Sequence, residues 1–157
     1  MTMFYPARCI LRNPPLFIGS EENALDAAWM ARHKIKLIVN CTRDVPAPFS
    51  QTIRTIRCPV DDHPSEAKRM ASFFARVCRD IHEARQRGEA VLVHCFAGIS
   101  RSATVVAAYI MYSCGKSARE AVSYIQARKP ETFGGSRHPL GVFHKALLAW
   151  EGHLGLR

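Results

Sequence analysis

The chain has 157 residues, of which 48% are hydrophobic and 22% are charged, as in an ordinary globular domain. No apolar run approaches the roughly 18 residues of a membrane-spanning helix, because charged residues or histidines interrupt every apolar stretch. We therefore expect no membrane anchor. The first residues lack a charged region followed by an apolar block, so we also expect no secretory signal and a cytoplasmic or nuclear location.

The net charge of +9 suits an anionic partner. The basic residues are scattered and no aromatic residues lie between them, so we expect no nucleic-acid partner and favour a surface that attracts phosphorylated substrates. The six cysteines form no Cys-x-x-Cys pair and no cluster with histidine at zinc spacing. We expect reduced thiols and no structural metal.

The first half of the chain alternates short strands and helices, as an α/β domain requires. A helix is predicted at 23–33, with Leu25, Ala28 and Trp29 on its buried face at helical spacing. The predicted strands lie at 9–12 and 16–18, on either side of a proline turn, and at 36–41 and 52–58, on either side of a loop at 42–50.

The second half is dominated by helices. Ser65 is predicted to cap a long helix that Gly88 ends, and residues 90–94 form an almost wholly apolar strand, which is typical of burial on both faces. Ser117 begins a capping box. The remaining predicted elements are helices at 102–113, 118–128 and 141–151, with a loop at 130–139 before the last of them.

A Cys-x5-Arg segment joins the strand at 90–94 to the following helix, and it carries the chemical argument. A turn of this kind points its backbone N–H groups into one hollow, and the helix N-terminus adds partial positive charge. Such a nest binds a phosphate dianion. The predicted phosphate-binding residues are Phe96, Ala97, Gly98, Ile99, Ser100 and Arg101.

Four side chains or positions in this segment have distinct expected roles. Arg101 can clamp two phosphate oxygens through parallel charge-assisted hydrogen bonds, which lysine cannot do. Cys95 lies at the start of the hollow, where the same field stabilises a thiolate that can attack phosphorus and form phosphocysteine. Ser102 can donate a hydrogen bond that helps this thiolate leave in the second step, and Gly98 permits the tight turn.

With a strand before it, a glycine inside it and a helix after it, this segment resembles the signature of the small, atypical dual-specificity phosphatases of the cysteine-based protein tyrosine phosphatase superfamily. Residues 16–20 and 35–42 resemble early strands of that family, and the likeness covers nearly the whole chain. The resemblance implies one catalytic domain over residues 1–157, with a central mixed, mostly parallel β-sheet flanked by helices on both sides.

The resemblance also implies an activity. It is the hydrolysis of phosphotyrosine and of phosphoserine or phosphothreonine in proteins, without a cofactor. Phosphorylated proteins, kinases among them, are the implied partners, and the oligomeric state stays open.

The family places a general acid on a loop before the nucleophile, where it protonates the leaving oxygen and later activates water as a base. The run Pro59-Val60-Asp61-Asp62-His63-Pro64 lies at the matching place in this chain. Its pattern favours Asp62 as the general acid, and Asp61 is the alternative. Both can instead be structural carboxylates of the loop.

The resemblance also suggests roles for three further residues. Cys41, at the end of a predicted strand, is a possible redox partner that traps Cys95 in a reversible disulfide; an inert buried cysteine is the alternative. His94 is expected to support the loop rather than transfer a proton. Lys129 lies where some relatives bind a second phosphate, although a solvated helix end is the more usual explanation.

Other functions remain open on the sequence. Relatives that act on inositol lipids tend to carry lysines inside the loop, whereas residues 96–100 are uncharged, which favours phosphoproteins over phosphoinositides or RNA 5′-phosphates. A phosphoprotein-binding module without turnover is disfavoured by the combination of Cys95, Arg101 and an aspartate in range. A rhodanese-like sulfurtransferase leaves Ser102 and Asp62 unexplained.

Overall fold

The computed structural model describes residues 5–156, and within them five strands form one sheet. In chain order the strands span Arg8–Leu11 (β1), Leu16–Gly19 (β2), Ile35–Asn40 (β3), Arg54–Arg57 (β4) and Ala90–His94 (β5). The helices span Glu21–Ala24 (α1), Ala27–Arg32 (α2), Ala67–Gln86 (α3), Arg101–Cys114 (α4), Ala118–Arg128 (α5) and His144–Leu154 (α6), with a 3₁₀ turn at Pro64–Glu66 before α3.

The strand order is β1-β2-β5-β3-β4, with β1 antiparallel to β2 and the other pairs parallel. The central strand β5 is buried along its whole length. In register, Gly19 and Asn40 pair with His94, and Arg57 pairs with Asn40, so four parallel strands end at one edge. Ligands of open α/β sheets bind outside this carboxyl edge, which is where the functional site is expected.

Helices cover both faces of the sheet, because alternate residues of a strand point to opposite sides. Val91 and Val93 of β5 face the larger core, which includes buried residues of α3, α4, α5 and α6. Leu92 faces the smaller core, where it packs with Phe17 and Met30. The predicted α/β class, with a mixed, mostly parallel sheet between helices, is confirmed.

The predicted helix at 23–33 is two short helices, and the expected buried face is correct only for Trp29, which packs against the smaller core, whereas Leu25 and Ala28 are exposed. Asp26 interrupts the helix and caps α2, since its carboxylate accepts the N–H of Trp29 at 3.0 Å. The helical phase restarts at this cap. As a result Leu25 is 44% exposed and Met30 is buried.

Two other helix boundaries differ from the prediction. The side chain of His63, not that of Ser65, caps the 3₁₀ turn before α3, because its Nδ1 accepts the Ser65 N–H at 3.1 Å. The last helix begins at His144 rather than at 141, since Gly141 takes a φ of 85°. No helix in the described part of the chain is long and apolar enough to cross a bilayer.

Candidate active site

The loop of residues 95–100 leaves β5 at the carboxyl edge of the sheet, and its neighbours hold its carbonyl groups. The carbonyl of Phe96 accepts the N–H of Glu21 at 2.9 Å, and that of Ile99 accepts the N–H of Phe133 at 2.8 Å. These bonds come from the segments after β2 and after α5. They hold two peptide oxygens of the loop against these neighbouring segments.

Several amides of this loop are available to a ligand. They are the backbone N–H groups of Ala97, Gly98, Ile99 and Ser100. Within residues 5–156, none of them donates a hydrogen bond to a protein acceptor. Helix α4 begins directly after them at Arg101, so its partial positive end points at the same place. The loop therefore has the properties of the predicted phosphate nest.

Gly98 closes this loop against the end of β2. Its φ is 77°, and a Cβ at this position would lie 2.8 Å from the carbonyl oxygen of Gly19. Both the backbone conformation and the close approach require glycine here. The strand β2 thus fixes the shape of the phosphate loop from one side.

Cys95 and Ser102 meet beneath the loop. The Sγ of Cys95 lies 3.1 Å from the Oγ of Ser102, which belongs to the first turn of α4. Cys95 is 2% exposed and Ser102 is fully buried. The structure therefore brings the expected nucleophile and the expected helper hydroxyl into contact.

Arg101 connects the phosphate loop to the loop after β4. Its Nη1 donates a hydrogen bond to the carbonyl of Val60 at 3.0 Å. Val60 directly precedes Asp61 and Asp62. The residue expected to bind phosphate therefore also anchors the segment that carries both acid candidates.

The structure separates the two aspartates. Oδ1 of Asp62 accepts the hydroxyl of Ser100 at 2.6 Å, which places this carboxylate at the phosphate loop. Asp61 instead pairs with Arg43, with Nε and Oδ1 3.1 Å apart, and its side chain is 64% exposed. Arg43 also binds Glu66 and lowers the pKa of that carboxyl group. Asp62 is the carboxylate that the fold presents to the site.

His94 has an environment that keeps it neutral. Burial lowers its pKa to about 4. A weak contact with the Cys95 carbonyl raises the pKa, and the charges of Arg57 and Arg101 lower it further. That contact joins Nδ1 to the carbonyl oxygen at 3.4 Å. The imidazole in this place therefore carries no charge at neutral pH.

Cys41 follows β3 and lies near Cys95. Its N–H donates to the carbonyl of His94 at 2.8 Å, so Cys41 and Cys95 occupy matching positions at the ends of adjacent strands. Burial raises the pKa of Cys41 well above its ordinary value, and the nearby thiols of Cys58 and Cys95 act in the same direction. Cys41 is a free, fully buried thiol in this structure.

Lys129 does not fit the expected second-phosphate role. Its side chain is completely buried, and its Nζ donates to the carbonyl of Pro6 at 3.1 Å and pairs with Glu131 at 2.6 Å. A buried, paired ammonium group of this kind holds the segments around it together. The neighbouring Arg128 is exposed and stacks over the ring of Tyr124.

The sequence did not reveal the contributions of Arg43 and of the Ser100 side chain. Arg43 lies 18 residues before Asp61 and no local motif joins them. Ser100 was expected as a phosphate-binding residue of the loop, and the bond of its hydroxyl to Asp62 was not expected. Within residues 5–156, no group of three or more His, Cys, Asp or Glu side chains is arranged to hold a metal ion.

Residues 16–150 match the family model described as dual specificity phosphatase, catalytic domain. The dual specificity protein phosphatase Mpk3 of Drosophila melanogaster is 35% identical over 144 residues, which cover 90% of this chain and 33% of that protein. Human dual specificity protein phosphatase 15 is 38% identical over 117 residues, which cover 74% of this chain and 39% of that protein. The chain thus spans only a part of the length of these curated relatives.

Solved structures show the same fold. The crystal structure of human DUSP28 is similar with a TM-score of 0.84 and 29% identity, covering 98% of this chain and 97% of that one. The human tyrosine phosphatase-like serine/threonine/tyrosine-interacting protein is similar with a TM-score of 0.82 and 31% identity, covering 94% and 97%. Sequence, fold and site agree: this chain belongs to the dual specificity phosphatase family and resembles its small, atypical members.

Proposed function

We propose that this domain hydrolyses phosphotyrosine and phosphoserine or phosphothreonine in proteins through a phosphocysteine intermediate. One observation carries the proposal. Cys95 begins a loop whose amides at residues 97–100 have no acceptor within residues 5–156, while Ser102 contacts its sulfur and Asp62 accepts the hydroxyl of Ser100 in the same loop. Nucleophile, leaving-step donor and proton donor therefore surround one anion-binding hollow.

In the first step, the loop amides and Arg101 bind the phosphate oxygens of the substrate. The thiolate of Cys95 attacks phosphorus, so that the S–P bond forms as the bond to the leaving oxygen breaks. Asp62 donates its proton to that oxygen. Arg101 has several N–H donors, so it can keep one on the Val60 carbonyl while others bind phosphate.

In the second step, the carboxylate of Asp62 takes a proton from water, and the resulting nucleophile attacks phosphorus. The S–P bond breaks and inorganic phosphate leaves. The hydroxyl of Ser102 donates a hydrogen bond to the departing thiolate of Cys95. Asp62 is then protonated again, as it was before the first step.

Phosphoproteins, kinases among them, are the proposed substrates. The loop side chains at 96–100 carry no charge, and Phe96 is 41% exposed, so a protein surface can approach an apolar rim. The net charge of +9 attracts phosphorylated partners of any kind. Phosphoinositides and RNA 5′-phosphates are the alternatives that share this chemistry.

The deciding experiment compares the wild-type domain with Cys95→Ser on an aryl phosphate, on phosphotyrosine and phosphothreonine peptides, on inositol phosphates and on RNA 5′-phosphate. We expect turnover of the peptides by the wild type only. Higher turnover of the inositol phosphates or of RNA 5′-phosphate would contradict the proposal that phosphoproteins are the substrates. No hydrolysis by the wild type would favour a phosphoprotein-binding module. Hydrolysis by Cys95→Ser would show that Cys95 is not the nucleophile.

We also propose that Cys41 protects Cys95 from irreversible oxidation. Hydrogen peroxide oxidises the Cys95 thiolate to a sulfenic acid, and the Cys41 thiol then condenses with it to form a disulfide and release water. A dithiol reductant restores both thiols. After brief peroxide treatment we expect wild type to regain activity with reductant and Cys41→Ser to regain far less. Cys58→Ser, at the end of the next strand, is the control; equal recovery of all three proteins would refute the role.

A further inference from the structure

The side chain of Ser100 makes a contact that phosphate binding does not require. Ser100 belongs to the phosphate loop, and its backbone N–H is one of the loop amides that have no acceptor within residues 5–156. Its hydroxyl donates to Oδ1 of Asp62 at 2.6 Å. Ser100 is only 6% exposed, so this donor is largely shielded from solvent.

This hydroxyl also does not do what a serine at its position usually does. Ser100 is the N-cap residue of α4, and a serine there ordinarily accepts a hydrogen bond from a backbone N–H of the first turn. No such side-chain bond is present at this helix. The hydroxyl is directed to the carboxylate of Asp62 instead of to its own helix.

Ser100 is itself firmly held. Its carbonyl accepts hydrogen bonds from the N–H and the hydroxyl of Thr104, at 2.9 and 2.8 Å, inside the first turn of α4. Asp62, in contrast, is an exposed residue of a loop. The hydrogen bond therefore joins the exposed side chain of Asp62 to Ser100, which the first turn of α4 holds in place.

We propose that Ser100 is a positioning residue for Asp62, an inference that rests on the proposed phosphatase function. By holding Oδ1, the hydroxyl leaves Oδ2 as the oxygen that carries the proton toward the leaving group. A protonated carboxyl group retains an acceptor oxygen, so the contact can persist in both steps of the reaction. Ser100 thus gives the two oxygens of one carboxyl group different tasks.

The test uses a series of aryl phosphates whose leaving groups increase in basicity, since only basic leaving groups need the proton. The proteins are wild type, Ser100→Ala, Ser100→Thr, Asp62→Asn and the double variant Ser100→Ala/Asp62→Asn. For Ser100→Ala we expect about a 10-fold loss of kcat/KM with the most basic leaving group, the size of a lost hydrogen bond to a charged group, and little loss with the least basic one. Ser100→Thr retains a hydroxyl and should recover most of the activity.

Two further readouts separate positioning from a structural role. Inhibition by inorganic phosphate should be the same in wild type and Ser100→Ala, because the loop amides are unchanged. In the double variant, Ser100→Ala should add nothing to the loss caused by Asp62→Asn, since both act through one carboxylate. Should Ser100→Ala fold poorly, Ser100→Gly removes the hydroxyl without adding volume.

The outcomes distinguish this inference from the function on which it rests. An equal loss for all leaving groups, or additive losses in the double variant, would overturn the role of Ser100 while wild-type turnover upholds the phosphatase. Full activity of Ser100→Ala on the most basic leaving group would overturn it as well. Absence of hydrolysis that depends on Cys95 in the wild type would overturn both.

Discussion

The sulfur of Cys95 and the hydroxyl of Ser102 lie 3.1 Å apart in the interior of the domain, although seven positions separate the residues in sequence. We expect Ser102→Ala to lower kcat roughly 10- to 100-fold, the range for a lost hydrogen bond to a charged group. The value of kcat/KM should fall much less, because it reports the steps up to phosphocysteine formation. Stopped-flow kinetics should then show a burst of leaving group equal to the enzyme concentration; equal losses in both parameters would contradict the assignment.

Asp62 and Asp61 are adjacent but have different surroundings, and their amide variants should differ accordingly. Asp62→Asn removes the proposed proton donor at the phosphate loop and should lower kcat/KM for phenyl phosphate about 10²- to 10⁴-fold. Asp61→Asn removes only a partner of Arg43 and should have a small effect. Steady-state rates of both variants provide the measurement, and the reverse order of effects would exchange the two roles.

Gly98 has both a positive φ and a close approach to Gly19. Gly115 has a positive φ without a close approach, so comparing the two residues shows the effect of each constraint. Gly115 ends α4 with a φ of 67° but has no atom within 4 Å of its missing Cβ. Gly115→Ala should cost about 1–2 kcal/mol of stability and leave activity per folded molecule unchanged. Gly98→Ala should in addition deform the loop and abolish inhibition by phosphate; similar effects of the two substitutions would disprove the clash.

The pKa of His94, at about 4 in the folded protein against an ordinary 6.5, predicts a pH dependence of stability. Between these values the unfolded chain binds a proton that the folded chain does not, so stability falls as the pH is lowered from 6.5 toward 4. The contribution of this group is at most about 3 kcal/mol. Urea unfolding of wild type and His94→Asn at several pH values tests it, since the variant should lose less stability over this interval. Parallel curves would show that His94 does not titrate in this way.

The elements with a strong local pattern could be predicted from the sequence. The strand β5 is a continuous apolar run, and the capping box of Ser117 and Glu120 is present at α5 as expected. The motif around Cys95 identified the loop because its required residue types are consecutive. Such features depend on neighbours in the chain, which the sequence displays directly.

Features that depend on distant segments could not be predicted. Lys129 looks like a solvated helix end in the sequence, but Pro6 and Glu131 enclose it in the fold. The predicted helix at 23–33 is interrupted because Asp26 caps a second helix. The same local sequence is compatible with Asp26 lying inside one continuous helix, so the interruption could not be predicted. The sequence pattern favoured Asp62 over Asp61, but it did not show that Arg43 binds Asp61 or that Ser100 binds Asp62.

The ion pair of Arg43 has a consequence for the conditions under which the domain works. Asp61 and Arg43 are both well exposed, so salt screens their attraction over a Debye length of about 8 Å at physiological ionic strength. The contact between Cys95 and Ser102 is buried and is screened much less. Ionic strength therefore acts more strongly on the loop of Asp61 and Asp62 than on the contact between Cys95 and Ser102, so two parts of one candidate site differ in their response to salt.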